Sequence, residues 1–130
     1  MRFVLALLAA LLPAPAFAQA IVAAVSTTAP AQSLTIISTT AQFYGFELFA
    51  GPTAGLAMVF ATTSAPADGV VTPVKCYPVA ANASISIAYQ PAQIVMTPGT
   101  TVVFGQNNGL ANACFNLVKQ NAAFISGEAQ

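Results

Sequence analysis

Histidine and tryptophan are absent from this sequence, and charge nearly is: 130 residues carry three Lys or Arg and three Asp or Glu. Charged residues make up 5% of the chain, where roughly 25% is usual. Each shortage excludes something. Without histidine the commonest general acid–base group is missing, and two cysteines alone cannot complete a metal site. Nucleic-acid binding needs a basic footprint, and docking on anionic lipid needs one too. Two lysines and one arginine cannot supply it. The polar surface must come from Ser, Thr, Asn and Gln. A surface so poor in charge resists aggregation badly in a free monomer. It suits a chain covered by copies of itself, by sugar, or by a larger assembly.

What is present begins with an export pattern. Arg2 precedes the apolar run Phe3 to Leu12, Pro13 and Pro15 follow, and Ala16–Phe17–Ala18 offers small residues at both positions that a signal peptidase reads. This is the layout of a secretory signal peptide spanning 1–18. The competing reading, a short membrane anchor, needs roughly 20 apolar residues and the run has ten. Cleavage after Ala18 would leave Gln19 first and 112 residues, the size of one domain. Its charged residues would be Glu47, Asp68, Lys75, Lys119 and Glu128. No later segment is long and apolar enough for a membrane helix, so no membrane association is expected after cleavage. In an exported chain Cys76 and Cys114 are expected to form one disulfide. It would close a loop of 37 intervening residues. Two buried free thiols are the alternative.

Along the remaining chain the period is two, not 3.6. Residues 19–32 show no clear period and read as a flexible arm or a loosely attached first strand. From Ser33 to Gln130 short alternating runs are separated by Pro, Gly and Asn turns. The run Gln42–Ala50 places Tyr44, Phe46 and Leu48 inward, with Phe43, Glu47 and Phe49 opposite. Leu56, Met58 and Phe60 alternate in the next run. Val70 to Cys76 reads as one strand, with Pro73 and Pro78 marking an edge or bulge. Ile85, Ile87 and Tyr89 share a face against Ser84, Ser86 and Ala88. "ACFNLVK" and "AAFIS" read as a closing hairpin. The predicted fold is all-β: a single antiparallel β-sandwich over 33–130, with a jelly roll as the candidate topology.

Candidate chemistry is thin. A glycosidase needs two facing carboxylates; only Glu47 and Glu128 are free for that role, since a turn accounts for Asp68, and nothing in the sequence brings them together. A Ser–Lys pair would need a nucleophile beside Lys75 or Lys119, and no motif supplies one. Both lysines fit strand edges, where charge discourages wrong pairing. No loop holds two carboxylates, as calcium would require. Asn82–Ala83–Ser84 matches the N-glycosylation pattern, a chance match if the alanine-rich leader is bacterial. The expectation is a protein without catalysis, cofactor or metal. Exposed aromatic rings can stack on sugars, and Tyr44, Tyr77 and Tyr89 are the candidates because each adds a hydroxyl. Packing is the default for the phenylalanines.

The runs "FYGFELFAG", "TPVKCYPV", the Pro–Gly turn before "VVF" and the closing "AFISG" together resemble small all-β proteins of bacteriophages and related bacterial loci. That family is mostly uncharacterised, and its members are assumed to belong to virions as head-decoration or tail-fibre modules. The resemblance covers roughly Thr39 to Gln130. It implies a β-sandwich that builds or binds, while the export signal points to an exported relative encoded by the host as an equal alternative. The expected function is an exported, non-catalytic structural or binding subunit of an extracellular or virion-like assembly, self-associating or held among other proteins. Three alternatives are a carbohydrate-binding module, a fimbrial subunit donating Ala20 to Thr28 to a neighbour's sheet, and an enzyme inhibitor presenting Gln106 to Asn112.

Overall fold

Short runs rich in Val, Ile, Thr and aromatic residues become strands wherever Pro, Gly or Asn interrupts them. The computed structural model describes residues 23–89, 94–106 and 113–130. The signal peptide expected at 1–18 lies outside the described residues. Among them run eleven strands: β1 Ala23–Ser26, β2 Ser33–Ile37, β3 Ala41–Ala50, β4 Gly55–Phe60, β5 Gly69–Val70, β6 Lys75–Val79, β7 Ser84–Ala88, β8 Ile94–Met96, β9 Thr100–Gln106, β10 Asn116–Leu117 and β11 Ala123–Ala129. Among the described residues the helical element is a 3-10 turn, Ala113–Phe115.

Two antiparallel sheets carry the fold. The front sheet has the order β1-β11-β3-β7, and β8 continues the β7 edge along the other end of β3. The back sheet has the order β2-β9-β4-β6. The first strand therefore pairs with the last, and β1 to β4 alternate between the sheets as the chain proceeds. Between the sheets sit Phe43, Phe46, Leu48, Val59, Phe104 and Ile125, all buried, with their neighbours. The all-β sandwich predicted from the alternation is what forms. Of residues 19–32, Ala23–Ser26 pair with β11 from Ala129 back to Ser126.

The back sheet is buried on its second face too. Every residue of β4, and β9 from Thr100 to Gly105, is buried. Ala57, Val59, Val102 and Phe104 point into the sandwich. Leu56, Met58, Phe60 and Val103 point the other way, onto Val71 and Leu117. A third layer covers them, built from residues 61–74 and 113–120 and including the small β5–β10 pair. Two ties hold this layer. Cys76, opposite Met58 on β6, is bonded to Cys114 in the 3-10 turn. Lys119 forms an ion pair with Asp68 at 3.3 Å, and its Nζ donates to the Pro66 carbonyl at 2.7 Å.

Four sequence expectations need correcting. The stretch Val70 to Cys76 is not one strand: β5 joins the third layer and β6 the back sheet. "ACFNLVK" and "AAFIS" do not form a hairpin, because β10 pairs with β5 while β11 lies between β1 and β3. Lys119 is not a free edge charge; its ion pair pins a loop. Within β3 the alternation changes phase. Tyr44 is an extra residue between the Phe43–Ala129 and Gly45–Glu128 pairs, a β-bulge. Phe43 thus points inward with Phe46, and Tyr44 is turned out. Gly45 has φ +153°, and a Cβ there would run into the Ile87 carbonyl, so the bulge requires glycine.

The disulfide gives the first test. Closing a loop of this length stabilises the fold by about 4 kcal/mol in the chain-entropy picture. The double variant Cys76→Ser, Cys114→Ser is expected to lose that much in denaturant unfolding. A loss below about 1 kcal/mol would show that packing alone holds the third layer.

Candidate functional site

The three candidate tyrosines do not form one platform. Tyr77 on β6 and Tyr89 just past β7 come from the edges of opposite sheets, and their hydroxyls meet at 2.8 Å. Tyr89 packs on Phe43 with ring centroids 5.5 Å apart, and Tyr77 on Phe46 at 6.0 Å. Phe43 and Phe46 themselves stack at 6.3 Å. These four rings pack together along one side of the sandwich, with both tyrosines half-buried. Burial pushes the Tyr89 phenol well above the ordinary tyrosine range, helped by the hydrogen bond and the charge interaction with Tyr77. Tyr44, turned out by the bulge, donates its hydroxyl to Gln130 Oε1. Cys76 and Cys114 are scaffold, bonded on the far side of the back sheet.

The surface with chemistry is the outer face of the front sheet. Its floor is small: Ser26 on β1, Ser126 on β11, and Ser84, Ser86 and Ala88 on β7. Two overlapping shallow grooves, of about 530 and 340 Å³, run across it and share Ser26, Glu47, Ser86 and Ser126. Glu47 sits between Ser86 and Ser126 by register, and Ser86 Oγ donates to Glu47 Oε1 at 3.3 Å. Glu128 is the next outward residue beyond Ser126 on β11. The sheet therefore joins two acids that no local pattern connects: it sets Glu47 and Glu128 on one face, diagonal across adjacent strands, roughly 7–8 Å apart at the backbone. The remaining acid, Asp68, is in the ion pair with Lys119. At one end of the face Phe49 and Phe124 lie directly opposite each other. They are 43% and 42% exposed.

This arrangement offers hydroxyls, two carboxylates and an apolar aromatic pair on an open surface. Both glutamates are exposed to solvent on this open face. Among the described residues no three His, Cys, Asp or Glu come together. The residues sequence reasoning missed are Phe49 and Phe124. Phe49 is grouped by plain alternation with Phe43, which the bulge sends into the core, and Phe124 alternates in a strand whose partners β1 and β3 are distant in the chain. Asn82 of the glycosylation-like triplet is exposed in the turn between β6 and β7. Of the loop proposed for an inhibitor, Gln106 ends β9 and 107–112 lie outside the described residues.

Comparisons with protein-family models, with curated proteins and with solved structures found no match to this chain.

The tyrosine pair predicts alkaline behaviour. Tyr89 holds its proton more tightly when folded than unfolded, so its contribution is complete below about pH 10, the unfolded value. It is lost as pH rises above that, because the unfolded state ionises first. Thermal stability is expected to fall above pH 10 in the wild type. Tyr77→Phe removes one partner of a half-buried hydroxyl and is expected to cost about 1 kcal/mol at neutral pH. An unchanged melting temperature for that variant would contradict the structural role of the pair.

Proposed function

We propose that this chain is an exported, non-catalytic subunit of an extracellular or virion-like assembly, and that it binds through the outer face of the front sheet. One observation carries the reading: the back sheet has a third layer over it, while the front sheet presents Phe49, Phe124, the serines and two glutamates uncovered among the described residues. The disulfide fits an oxidising compartment, in keeping with the export pattern at residues 1–18. Catalysis is disfavoured by the missing histidine and by the open setting of Glu47 and Glu128. The interleaved strand order, with β11 between β1 and β3 and β9 between β2 and β4, is read as a jelly roll, two Greek keys wound into one sandwich. This is an architecture that serves capsid parts and lectins alike.

A second reading, a carbohydrate-binding module, is favoured by the same face. Paired exposed rings stack on the apolar faces of sugars, and the adjacent hydroxyls and carboxylates match sugar hydroxyls by hydrogen bonding. The rings concerned are Phe49 and Phe124 rather than Tyr77 and Tyr89. A fimbrial role is less well supported, since Ala23–Ser26 already pair within their own chain.

The double variant Phe49→Ser, Phe124→Ser separates these readings, because both rings are surface groups whose loss spares the core. Wild type and variant are compared by sedimentation and by retention on a panel of insoluble polysaccharides. Loss of a higher-mass species supports the assembly subunit. Retention that weakens at least tenfold, about 1.4 kcal/mol, without a change of mass supports the sugar module. A variant indistinguishable from wild type in both assays removes the outer face from the function.

A further inference from the structure

The front sheet ends at β7, and that edge differs from the other three. β6, the neighbouring edge of the back sheet, carries Lys75 and Pro78, two devices that discourage strand addition. β2 is interrupted by a register shift between Thr35 and Ile37, and β1 is four residues long. β7 is five residues, Ser84–Ala88, paired in unbroken register with β3 from Phe49 to Gly45. It has no charge, no proline and no bulge, and no strand among the described residues pairs with its outer side.

The phase of the ladder decides which groups it offers. Ala50 N donates to Ala83 O and Tyr89 N donates to Tyr44 O, both at 2.8 Å. Residues 83, 85, 87 and 89 therefore turn their backbone groups toward β3. By alternation those of Ser84, Ser86 and Ala88 face away from it. The sequence of the strand, Ser-Ile-Ser-Ile-Ala, is nearly its own mirror about Ser86. Turned antiparallel on a second copy about a two-fold axis at Ser86, Ser86 meets Ser86, Ser84 meets Ala88 and Ile85 meets Ile87. The three residues with outward backbone groups then oppose one another, so each pair can exchange both N–H···O bonds. The side chains on the outer face are small enough to meet without clash. Ile85 and Ile87, half-buried on the inner side, gain cover from each other.

We infer that two copies of this chain join through β7, antiparallel and in register at Ser86, into one continuous front sheet. The inference rests on the reading of the chain as a subunit and names the contact. It is isologous, so it closes as a dimer, and it places the two outer faces side by side.

The register makes the test specific. Ser86→Cys puts two thiols in a pair whose Cα separation is about 5.5 Å, inside the range a disulfide spans. Under mild oxidation it is expected to give a covalent dimer, with Cys76–Cys114 intact by peptide mapping. Ser84→Cys is expected to give none, because residue 84 of one copy lies four positions, about 13 Å, from residue 84 of the other. Ser86→Lys sets two ammonium groups face to face and is expected to halve the sedimented mass of the wild type. Ser86 is exposed and its backbone does not bond β3, so neither change disturbs the ladder; should Ser86→Lys unfold, the two cysteine variants decide. A higher-mass species that Ser86→Lys leaves unchanged and Ser86→Cys fails to cross-link overturns the β7 contact while the subunit reading stands. A wild type monomeric at every concentration overturns the inference, and the phenylalanine variants then judge the outer face by sugar retention alone.

Discussion

β4 and β9 are apolar on both faces, and the rest of the molecule is arranged around that fact. A strand pair in which Leu56, Met58, Phe60 and Val103 point away from the sandwich core cannot be left wet: burying one such side chain is worth about 1.5–3 kcal/mol relative to leaving it exposed. The chain meets this with residues that would otherwise be surface loops. Segments 61–74 and 113–120 lie across the back sheet, with Val71 and Leu117 supplying apolar cover. Loops have little packing of their own to hold them, so the covalent bond from Cys76 to Cys114 and the Asp68–Lys119 ion pair fix the layer. Two of the five charges outside the expected signal peptide are committed there.

That commitment shapes what the front sheet can do. With one side of the molecule closed by its third layer and the four rings packed along the β6–β7 side, functional freedom concentrates on the outer front face and its β7 edge. The face is polar through hydroxyls more than through charge, and its two glutamates give it a negative character without a lysine nearby. On the proposed reading, such a surface would recognise a partner by shape and hydrogen bonding, with little long-range steering. The ties that hold the third layer and the face proposed for binding thus lie on opposite sides of one sandwich.

The sequence announced much of this. Period-two alternation, turn residues and the shortage of helix-forming runs led directly to an all-β sandwich, and the even cysteine pair led to the disulfide. β7 was legible residue by residue, because a half-buried strand writes its faces into its sequence. β3 was not: one extra residue at Tyr44 reverses the phase, and only tertiary pairing with Ala129 and Glu128 reveals it. The site failed for the same reason, since Phe43 and Phe49 look equivalent by alternation and end on opposite faces. A tyrosine hydroxyl suits a sugar platform, yet at Tyr77 and Tyr89 the hydroxyls bond each other. Strand partners far apart in the chain, such as β5 and β10 with four strands between them, leave no local signal at all.

On the proposed reading, partners meet the front sheet and never the third layer. Amide hydrogen exchange, compared at low and high protein concentration, tests it most directly. The account predicts that protection rises along Ser84–Ala88 and the outer front strands as the chain associates, while residues 61–74 and 113–120 exchange at unchanged rates. Protection gained in those two segments, with β7 unchanged, would contradict it.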